Sequence, residues 1–218
     1  MKLKMRTIIF IICIIVIADQ VLKIYVKTHY YIRESHPLIG NWFKLYFIEN
    51  AGMAYGWKFG GQWGKILLTL FRLAAVIFGV FYIKKIFEKK YHPGYIICVA
   101  FIFAGALGNL IDSLFYGMIF ENSSSFAYNI ARIFPPHGYA GFLHGRVVDM
   151  LYFPIIHINK LPQWIPFFGG TEFSFFNYIF NIADTSVSIG VITIIIFRKH
   201  FFKPVEQKIN QSVEAICE

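Results

Sequence analysis

Long apolar segments separated by polar segments dominate the pattern of this sequence. A helix needs about 20 predominantly apolar residues to cross the hydrocarbon core of a bilayer. Four segments reach that length, at 7–26, 65–83, 94–115 and 178–197. We therefore predict an all-α integral membrane protein with four transmembrane helices in one membrane domain, 1–218. The long loops are then 27–64 and 116–177, and the tail is 198–218.

The two long loops have a different pattern from the helices. Phe43, Leu45 and Phe47 recur at every second position, which is typical of a short strand. Both loops are rich in aromatic residues, and aromatic residues concentrate at membrane interfaces. We expect the loops to form a small region with some β structure, next to the membrane surface.

Composition agrees with a membrane protein. Hydrophobic residues make up 57% of the chain and charged residues 15%, which is too apolar for an ordinary soluble domain. The net charge of +9 could indicate nucleic-acid binding, but the Lys and Arg residues lie between segments of spanning length. The charge therefore favours a role in membrane orientation and argues against a nucleic-acid partner. The first apolar segment lacks a small-residue cleavage site, so we interpret it as a retained helix.

The Lys and Arg residues are distributed unequally across the predicted membrane. Eleven of them lie within about 40 residues at 1–6, 84–93 and 198–218, whereas the two long loops hold seven within about 100 residues. Cytoplasmic flanks of membrane helices carry the excess of positive charge. We therefore predict that both termini are cytoplasmic and that both long loops face the outside.

Ionisable side chains inside membrane helices are costly, so each of them needs a partner or a function. The predicted spans contain five candidates: Asp19, Lys23, Arg72, Asp112 and Asp184. The predicted helix directions place all three aspartates in the outer half of the membrane, with Asp184 one to two turns inside the fourth helix. This arrangement predicts a polar pocket that opens to the outer face.

Local spacing supports a shared pocket. Asp19 and Lys23 are four residues apart on one helix face, so they can form a neutralising pair or contact a substrate. Two further polar stripes follow helical spacing: Gly105, Gly108, Asn109 and Asp112 in the third helix, and Asn181, Asp184 and Ser188 in the fourth. Arg72 could extend towards the interface or neutralise a buried carboxylate, and the sequence leaves both alternatives open.

Candidate chemistry is limited to carboxylates. Asp149 follows two β-branched residues in the second long loop, and the sequence leaves open whether it faces inward. Ser113, Ser186 and Ser188 lack a nucleophile-elbow motif, and His137, His144 and His157 lack the spacing of a zinc-protease helix. Two close carboxyl groups share a proton, so one of them can act as base and the other as acid on an amide.

Five segments, in order, carry a family resemblance. They are Asp19-Gln20-x-x-Lys23, Asn50-Ala51-Gly52-Met53-Ala54-Tyr55-Gly56, Gly105-x-x-Gly108-Asn109-x-x-Asp112, Val147-Val148-Asp149 and Phe180-Asn181-x-Ala183-Asp184. Together they resemble the lipoprotein signal peptidases, the signal peptidase II family of bacterial membrane aspartyl proteases. The resemblance covers most of the chain, from about residue 18 to residue 190.

The resemblance implies specific roles. Asp149 and Asp184 are expected to form the catalytic pair, and Asn109, Asp112 and Asn181 to shape the polar pocket. The other motif residues are expected to support the site or contact substrate: Asp19, Lys23, Asn50, Gly108, Val147 and Ala183. The family removes signal peptides from prolipoproteins, on the amino side of a diacylglyceryl-modified cysteine, with neither a metal nor an organic cofactor.

The resemblance also implies a setting for the protein. It implies a monomer in the bacterial cytoplasmic (inner) membrane, with its active site at the extracytoplasmic face and lipid as a partner. The alternative is a small proton-coupled transporter or channel component. That alternative explains Asp19, Lys23, Arg72 and Asp184, but it gives no reason for Asp149 or for the loop at Asn50.

Two features depart from the family pattern. Ser113 stands directly after Asp112, where the family commonly has Arg, so Arg146 or Arg72 could supply the missing charge. The segments 117–145 and 157–176 are also longer than the links that the family motifs usually show. A lid, a membrane-lying element and a partner surface all remain open as roles for them.

Overall fold

A computed structural model of the chain describes residues 3–51, 61–124, 129–154, 156–158, 162–164, 170, 173–175 and 178–202. The helices in these ranges are α1 (Met5–His29), α2 (Gly61–Glu88), α3 (Pro93–Ile119), α4 (Ile182–Ile196) and α5 (Arg198–Phe201). The strands are β1 (Ser35–Ile39), β2 (Phe43–Asn50), β3 (Val147–Tyr152), β4 (Ile156–Ile158), β5 (Phe173–Phe175) and β6 (Ile179–Phe180).

Three of the described helices, α1, α2 and α3, are long and apolar enough to cross a membrane. They contain 25, 28 and 27 residues and include the predicted segments 7–26, 65–83 and 94–115. Large apolar side chains such as Phe10, Leu67 and Phe71 are exposed along α1 and α2. An exposed apolar helix surface of this length is typical of contact with lipid, so the chain is a membrane protein.

The fourth predicted helix begins later than the sequence pattern indicates. The apolar segment starts at residue 178, but Ile179 and Phe180 form β6 and pair with Tyr152 and Leu151 of β3. Asn181 then caps α4, whose 15 residues end at Ile196. The sheet pairing uses the backbone groups that a helix would need, which is why the apolar pattern overestimates the helix.

Helix α3 is the centre of the helical part and packs against α1, α2 and α4. Glycine permits a very close approach between α3 and α4. A Cβ atom on Gly105 would lie 2.2 Å from the backbone oxygen of Ala183, and one on Gly190 would lie 2.6 Å from that of Cys98. Small residues at such crossings are the usual means of close packing between membrane helices.

A four-stranded antiparallel sheet, in the order β1-β2-β3-β6, lies next to the ends of α1 and α3. The strand predicted around residues 43–47 is confirmed as part of β2. Leu45 and Phe47 of β2 and Val148 and Met150 of β3 pack in one buried core. Val26 of α1, Tyr116 of α3 and Phe120, just after α3, complete that core. The register sets Ile48 opposite Asp149, and this fixes where Asp149 lies along the sheet.

The first long insertion, 117–145, folds back onto the end of α3. Phe120 forms an antiparallel bridge with Ile133, and the backbone N–H of Gly145 donates to the backbone oxygen of Ser113 at 2.9 Å. Residues 125–128 and much of the second insertion, 157–176, lie outside the described residues. Within the described residues of that second insertion, β4 pairs with β5.

Candidate active site

Lys23 lies at the centre of a buried polar cluster. Its Nζ atom is 2.8 Å from Asp19 Oδ2 and 2.8 Å from Asp112 Oδ2. It also donates to Asn109 Oδ1 at 2.9 Å. The predicted Asp19–Lys23 pair is therefore present, and it extends to α3. Because the lysine and both aspartates are at most 1% exposed, their charges depend on one another for stabilisation.

These two aspartates also hold the backbone of neighbouring elements. Asp19 Oδ1 accepts the Ala183 N–H at 2.9 Å, and Asp112 Oδ2 accepts the Val148 N–H at 3.2 Å. Asp19 thus connects α1 to the start of α4, while Asp112 connects α3 to β3. These bonds occupy both carboxylates with structural contacts.

Gly108 and Gln20 complete this part of the cluster. A Cβ atom at Gly108 would lie 2.7 Å from Asp19 Oδ2 and 3.2 Å from Ala183 Cβ, so only glycine leaves room there. Gln20 donates to Asp112 Oδ1 at 2.9 Å and accepts from the Tyr116 hydroxyl at 3.1 Å. The sequence reasoning did not select Gln20, although it lies beside Asp19 in the first motif.

Asp184 lies in the first turn of α4, not one to two turns inside the helix as expected. Asn181 and Asp184 form a capping box, in which the Asp184 N–H donates to Asn181 Oδ1 at 2.8 Å. Asn109 Nδ2 donates to Asp184 Oδ1 at 2.8 Å. A carboxylate in this position is stabilised by the positive end of the helix dipole.

Asp149 faces inward from β3 and is only 4% exposed. Asn181 Nδ2 donates to its Oδ1 at 2.7 Å, so one asparagine contacts both Asp149 and Asp184. Burial, and then the charge of Asp184, raise the pKa of Asp149 to about 7. The two carboxyl groups therefore differ in environment while sharing one partner.

Asn50 and Val147 lie at the edge of this site. They are opposite each other at the ends of β2 and β3, and Val147 is buried. Asn50 is partly buried. Residues 52–60, which include the rest of the second motif, lie outside the described residues.

Arg72 reaches α3 from α2. Its Nη1 atom donates to Ser113 Oγ at 2.7 Å, and Ser113 Oγ donates to the Asn109 backbone oxygen at 2.9 Å. Arg146, the other candidate cation, instead binds Glu49 Oε2 at 2.8 Å and Asn122 Oδ1 at 3.0 Å. Of the two, Arg72 is the one that contacts Ser113.

A second buried ion cluster lies between α1, β2 and the first insertion, and the sequence analysis missed it. Lys27, which is fully buried, pairs with Glu49 and donates to Ser123 Oγ at 2.9 Å. Burial alone would raise the pKa of Glu49, but Lys27 and Arg146 lower it below its usual value. The sequence did contain a feature that could have predicted a buried Lys27, because Lys27 lies four residues after Lys23 on the same helix face.

The serine and histidine candidates do not form a nucleophile pair or a metal site within the described residues. Ser186 Oγ donates to the Phe101 backbone oxygen at 2.8 Å, and Ser188 Oγ to that of Asp184 at 2.9 Å. His137 is exposed and His144 is half-buried. No group of three or more metal-ligand side chains occurs in the ranges that the structure describes.

The arrangement is suited to proton transfer between two carboxyl groups. A carboxyl with a pKa near 7 keeps its proton at moderate acidity, while a hydrogen-bonded carboxylate beside it can accept one. Such a pair could activate water towards an amide carbonyl.

Comparison with known proteins identifies relatives along almost the whole chain. A family model described as signal peptidase (SPase) II matches residues 11–199. A lipoprotein signal peptidase of Porphyromonas gingivalis is 43% identical over 188 residues, covering 85% of this chain and 80% of that protein. One from Amoebophilus asiaticus is 32% identical over 197 residues, covering 88% of this chain and 78% of that protein.

Two solved structures are similar in fold. A bacterial membrane enzyme determined by the in meso method at 2.3 Å resolution has a TM-score of 0.58 and 28% identity, and the match covers 94% of this chain and 95% of that one. A second, at 1.9 Å resolution, has a TM-score of 0.54 and 27% identity, and the match covers 89% of this chain and 94% of that one.

Proposed function

Because the chain belongs to the signal peptidase II family and removes signal peptides from prolipoproteins, we propose that it is an aspartic endopeptidase whose catalytic pair is Asp149 and Asp184. The observation that carries this proposal is the position of Asn181, which contacts both carboxyl groups. Family membership leaves the proton-coupled transporter alternative without support.

The two aspartates take different roles in the proposed reaction. Asp149, with a pKa of about 7, holds the shared proton, and Asp184 is the carboxylate. Asp184 accepts a proton from water, whose oxygen bonds to the scissile carbonyl carbon, while Asp149 donates a hydrogen bond to the developing oxyanion. Collapse of the tetrahedral intermediate breaks the C–N bond, and the amine leaves with the proton from Asp184. The products are a free carboxyl and a free amine.

Two asparagines support this division of roles. Asn109 donates to Asp184 Oδ1 at 2.8 Å and Asn181 donates to Asp149 Oδ1 at 2.7 Å, so each carboxyl is held by an amide. Gly108 lets Asp19 and Ala183 lie close to α3, and Val147 pairs with Asn50 at the edge where a peptide would enter. Asp19, Lys23 and Asp112 act as supports, because their oxygens and Nζ are already engaged.

The proposed substrate carries a diacylglyceryl group on the cysteine that follows the scissile bond. The apolar surface of α1, α2 and α3 lets the acyl chains remain in lipid while the peptide reaches the carboxyl pair. Cleavage on the amino side of the cysteine would leave the lipid on the mature protein.

The proposed topology has four membrane spans with both termini in the cytoplasm. Helix α4 alone has 15 residues, but helical hydrogen bonds continue from Thr193 through Phe197 to Phe201. The segment 182–201 would then be about 30 Å long, which matches a bilayer core. The basic flanks favour a bacterial inner membrane location with the site at the extracytoplasmic face, and we propose a monomer.

The test is cleavage of a diacylglyceryl-modified prolipoprotein by purified protein in lipid nanodiscs. We expect a product that begins with the lipidated cysteine, identified by mass spectrometry. The same prolipoprotein without the lipid is the matched control, and it should be cleaved at least about tenfold more slowly. Failure to cleave several lipidated substrates, or cleavage at another bond, would contradict the proposed function.

A further inference from the structure

The side-chain contact between Arg72 and Ser113 connects α2 to the site, although α2 contributes no carboxylate. We propose that Arg72 is a positioning residue: its charge sets the pH range in which the Asp149–Asp184 pair holds a single proton, and its hydrogen bond through Ser113 fixes Asn109. This inference rests on the proposed function of that pair.

The first argument is the side of α2 on which Arg72 lies. Thr69 is 2% exposed and donates to the Leu143 backbone oxygen at 3.1 Å, and Val76 is 8% exposed. Residues 69, 72 and 76 follow helical spacing and share one face. Phe71 and Phe78, on other faces, are 69% and 66% exposed. Arg72 therefore points towards the protein, and the alternative in which it extends along lipid to the interface is not needed.

The second argument is the path of contacts from Arg72 to the pair. Arg72 donates to Ser113 at 2.7 Å, and Ser113 donates to the backbone oxygen of Asn109 at 2.9 Å. The Asn109 side chain then donates to Asp184 Oδ1 at 2.8 Å. Ser113 is 1% exposed, so this path is protected from water. The guanidinium of Arg72 therefore restrains the backbone of Asn109, the residue whose side chain donates to Asp184.

The third argument is charge. Asp19, Asp112 and Asp184, together with a protonated Asp149, carry three negative charges, and Lys23 supplies one positive charge among them. Arg72 makes no ion pair among the described residues, yet its charge interacts favourably with Asp112, Asp184 and Asp149. It thus reduces the excess negative charge without forming a direct pair that would block either catalytic oxygen. Removing it makes the Asp149–Asp184 pair, taken as one unit, easier to protonate.

The test compares pH–rate profiles of four proteins on the lipidated substrate in nanodiscs. They are the wild type, Arg72→Gln, the exchange variant Arg72→Gln with Ser113→Arg, and Lys84→Gln. Lys84 lies on the same helix with a 69% exposed side chain, so its variant is the matched control for loss of one positive charge from α2.

We expect Arg72→Gln to shift both limbs of the profile towards higher pH and to lower the maximal kcat about tenfold, because Asn109 loses its restraint. The exchange variant returns the guanidinium to a position in contact with the original one, so it should move both limbs back, whereas kcat should recover only in part because the Ser113 hydroxyl is lost. Lys84→Gln should match the wild type. KM should change by less than about threefold in each variant, because Arg72 acts on the carboxyl pair rather than on substrate binding.

An Arg72→Gln variant with unshifted limbs would overturn the inference even if its kcat fell, since loss of packing alone does not move a pH profile. If Arg72→Gln does not fold, the exchange variant provides the test, and a folded exchange variant whose limbs lie at higher pH than those of the wild type would overturn the inference. Failure of the proposed function gives a different result: the wild type itself would not cleave, or Asp149→Asn or Asp184→Asn would remain active.

Discussion

Asn181 donates its side-chain amide to Asp149 Oδ1 at 2.7 Å, and its own side-chain oxygen accepts the Asp184 N–H that begins α4. One residue therefore sets the start of a helix and the orientation of a carboxyl group on a neighbouring strand. The two contacts use opposite ends of the same amide. They can be separated by substitution, because capping needs only an acceptor whereas the contact with Asp149 needs a donor that reaches β3.

Substitution of Asn181 should separate stability from catalysis. Ser is a good helix cap, so Asn181→Ser should retain most of the thermal stability, whereas Asn181→Ala should lose about 1 kcal/mol. Both variants lack the amide that orients Asp149, so both should lower kcat by about tenfold or more. Melting curves in detergent and single-turnover cleavage would measure the two effects. Wild-type kcat in Asn181→Ser would contradict the orienting role.

The pH dependence follows from the environment of Asp149. Burial, and then Asp184, raise its pKa to about 7, so the group is protonated below that pH and ionised above it. Because the proposed mechanism needs the protonated form, kcat should fall about tenfold per pH unit above that point. The apparent pKa belongs to the coupled pair. A cleavage rate that rises steadily above neutral pH, with the protein still folded, would contradict this assignment.

The Lys27–Glu49 pair predicts a large loss of stability when one partner is removed. Glu49→Gln leaves the fully buried Lys27 without its counter-charge, which should cost about 3–5 kcal/mol. The pKa of Glu49 is lowered in the folded protein, so its stabilising contribution is complete above the usual value of 4.5. That contribution disappears as the pH falls through the lowered value. Thermal melting across acidic and neutral pH would measure it.

The matched control for that measurement is the exposed pair Lys84–Glu88, whose atoms are 3.9 Å apart with side chains 69% and 61% exposed. Glu88→Gln should change stability by less than about 1 kcal/mol. Equal destabilisation by Glu49→Gln and Glu88→Gln would contradict the prediction that burial increases the cost of removing one partner of the Lys27–Glu49 pair.

Much of the helical part could be predicted from sequence, because the requirement for long apolar segments in lipid leaves a strong pattern. The pattern failed at residues 178–181, where an apolar segment continues through a strand and a helix cap. Apolar residues occur both in the strand β6 and in the membrane helix α4, so hydropathy cannot distinguish the last strand residues from the first helix residues. The position of Asp184 in the first turn follows from that boundary.

The candidate site was only partly predictable. Costly charges inside apolar segments pointed to Asp19, Lys23 and Asp112, and the structure brings them together. Asp149 carried no such signal, because a loop aspartate is normally exposed and only the β2–β3 register turns this one inward. The contacts of Glu49 with Lys27 and Arg146 depend on how an insertion folds back, which spacing along one helix does not determine.

The measurement that tests the central claim most directly is single-turnover cleavage of a diacylglyceryl-modified prolipoprotein by Asp149→Asn, Asp184→Asn and the double variant. The isosteric amides keep the shape of each side chain but cannot share a proton. We expect each single variant to lose at least about a thousandfold in rate, and the double variant to lose no more than either, because the two groups act as one unit. Retained cleavage in either single variant, with the protein folded, would contradict the assignment of Asp149 and Asp184 as the catalytic pair.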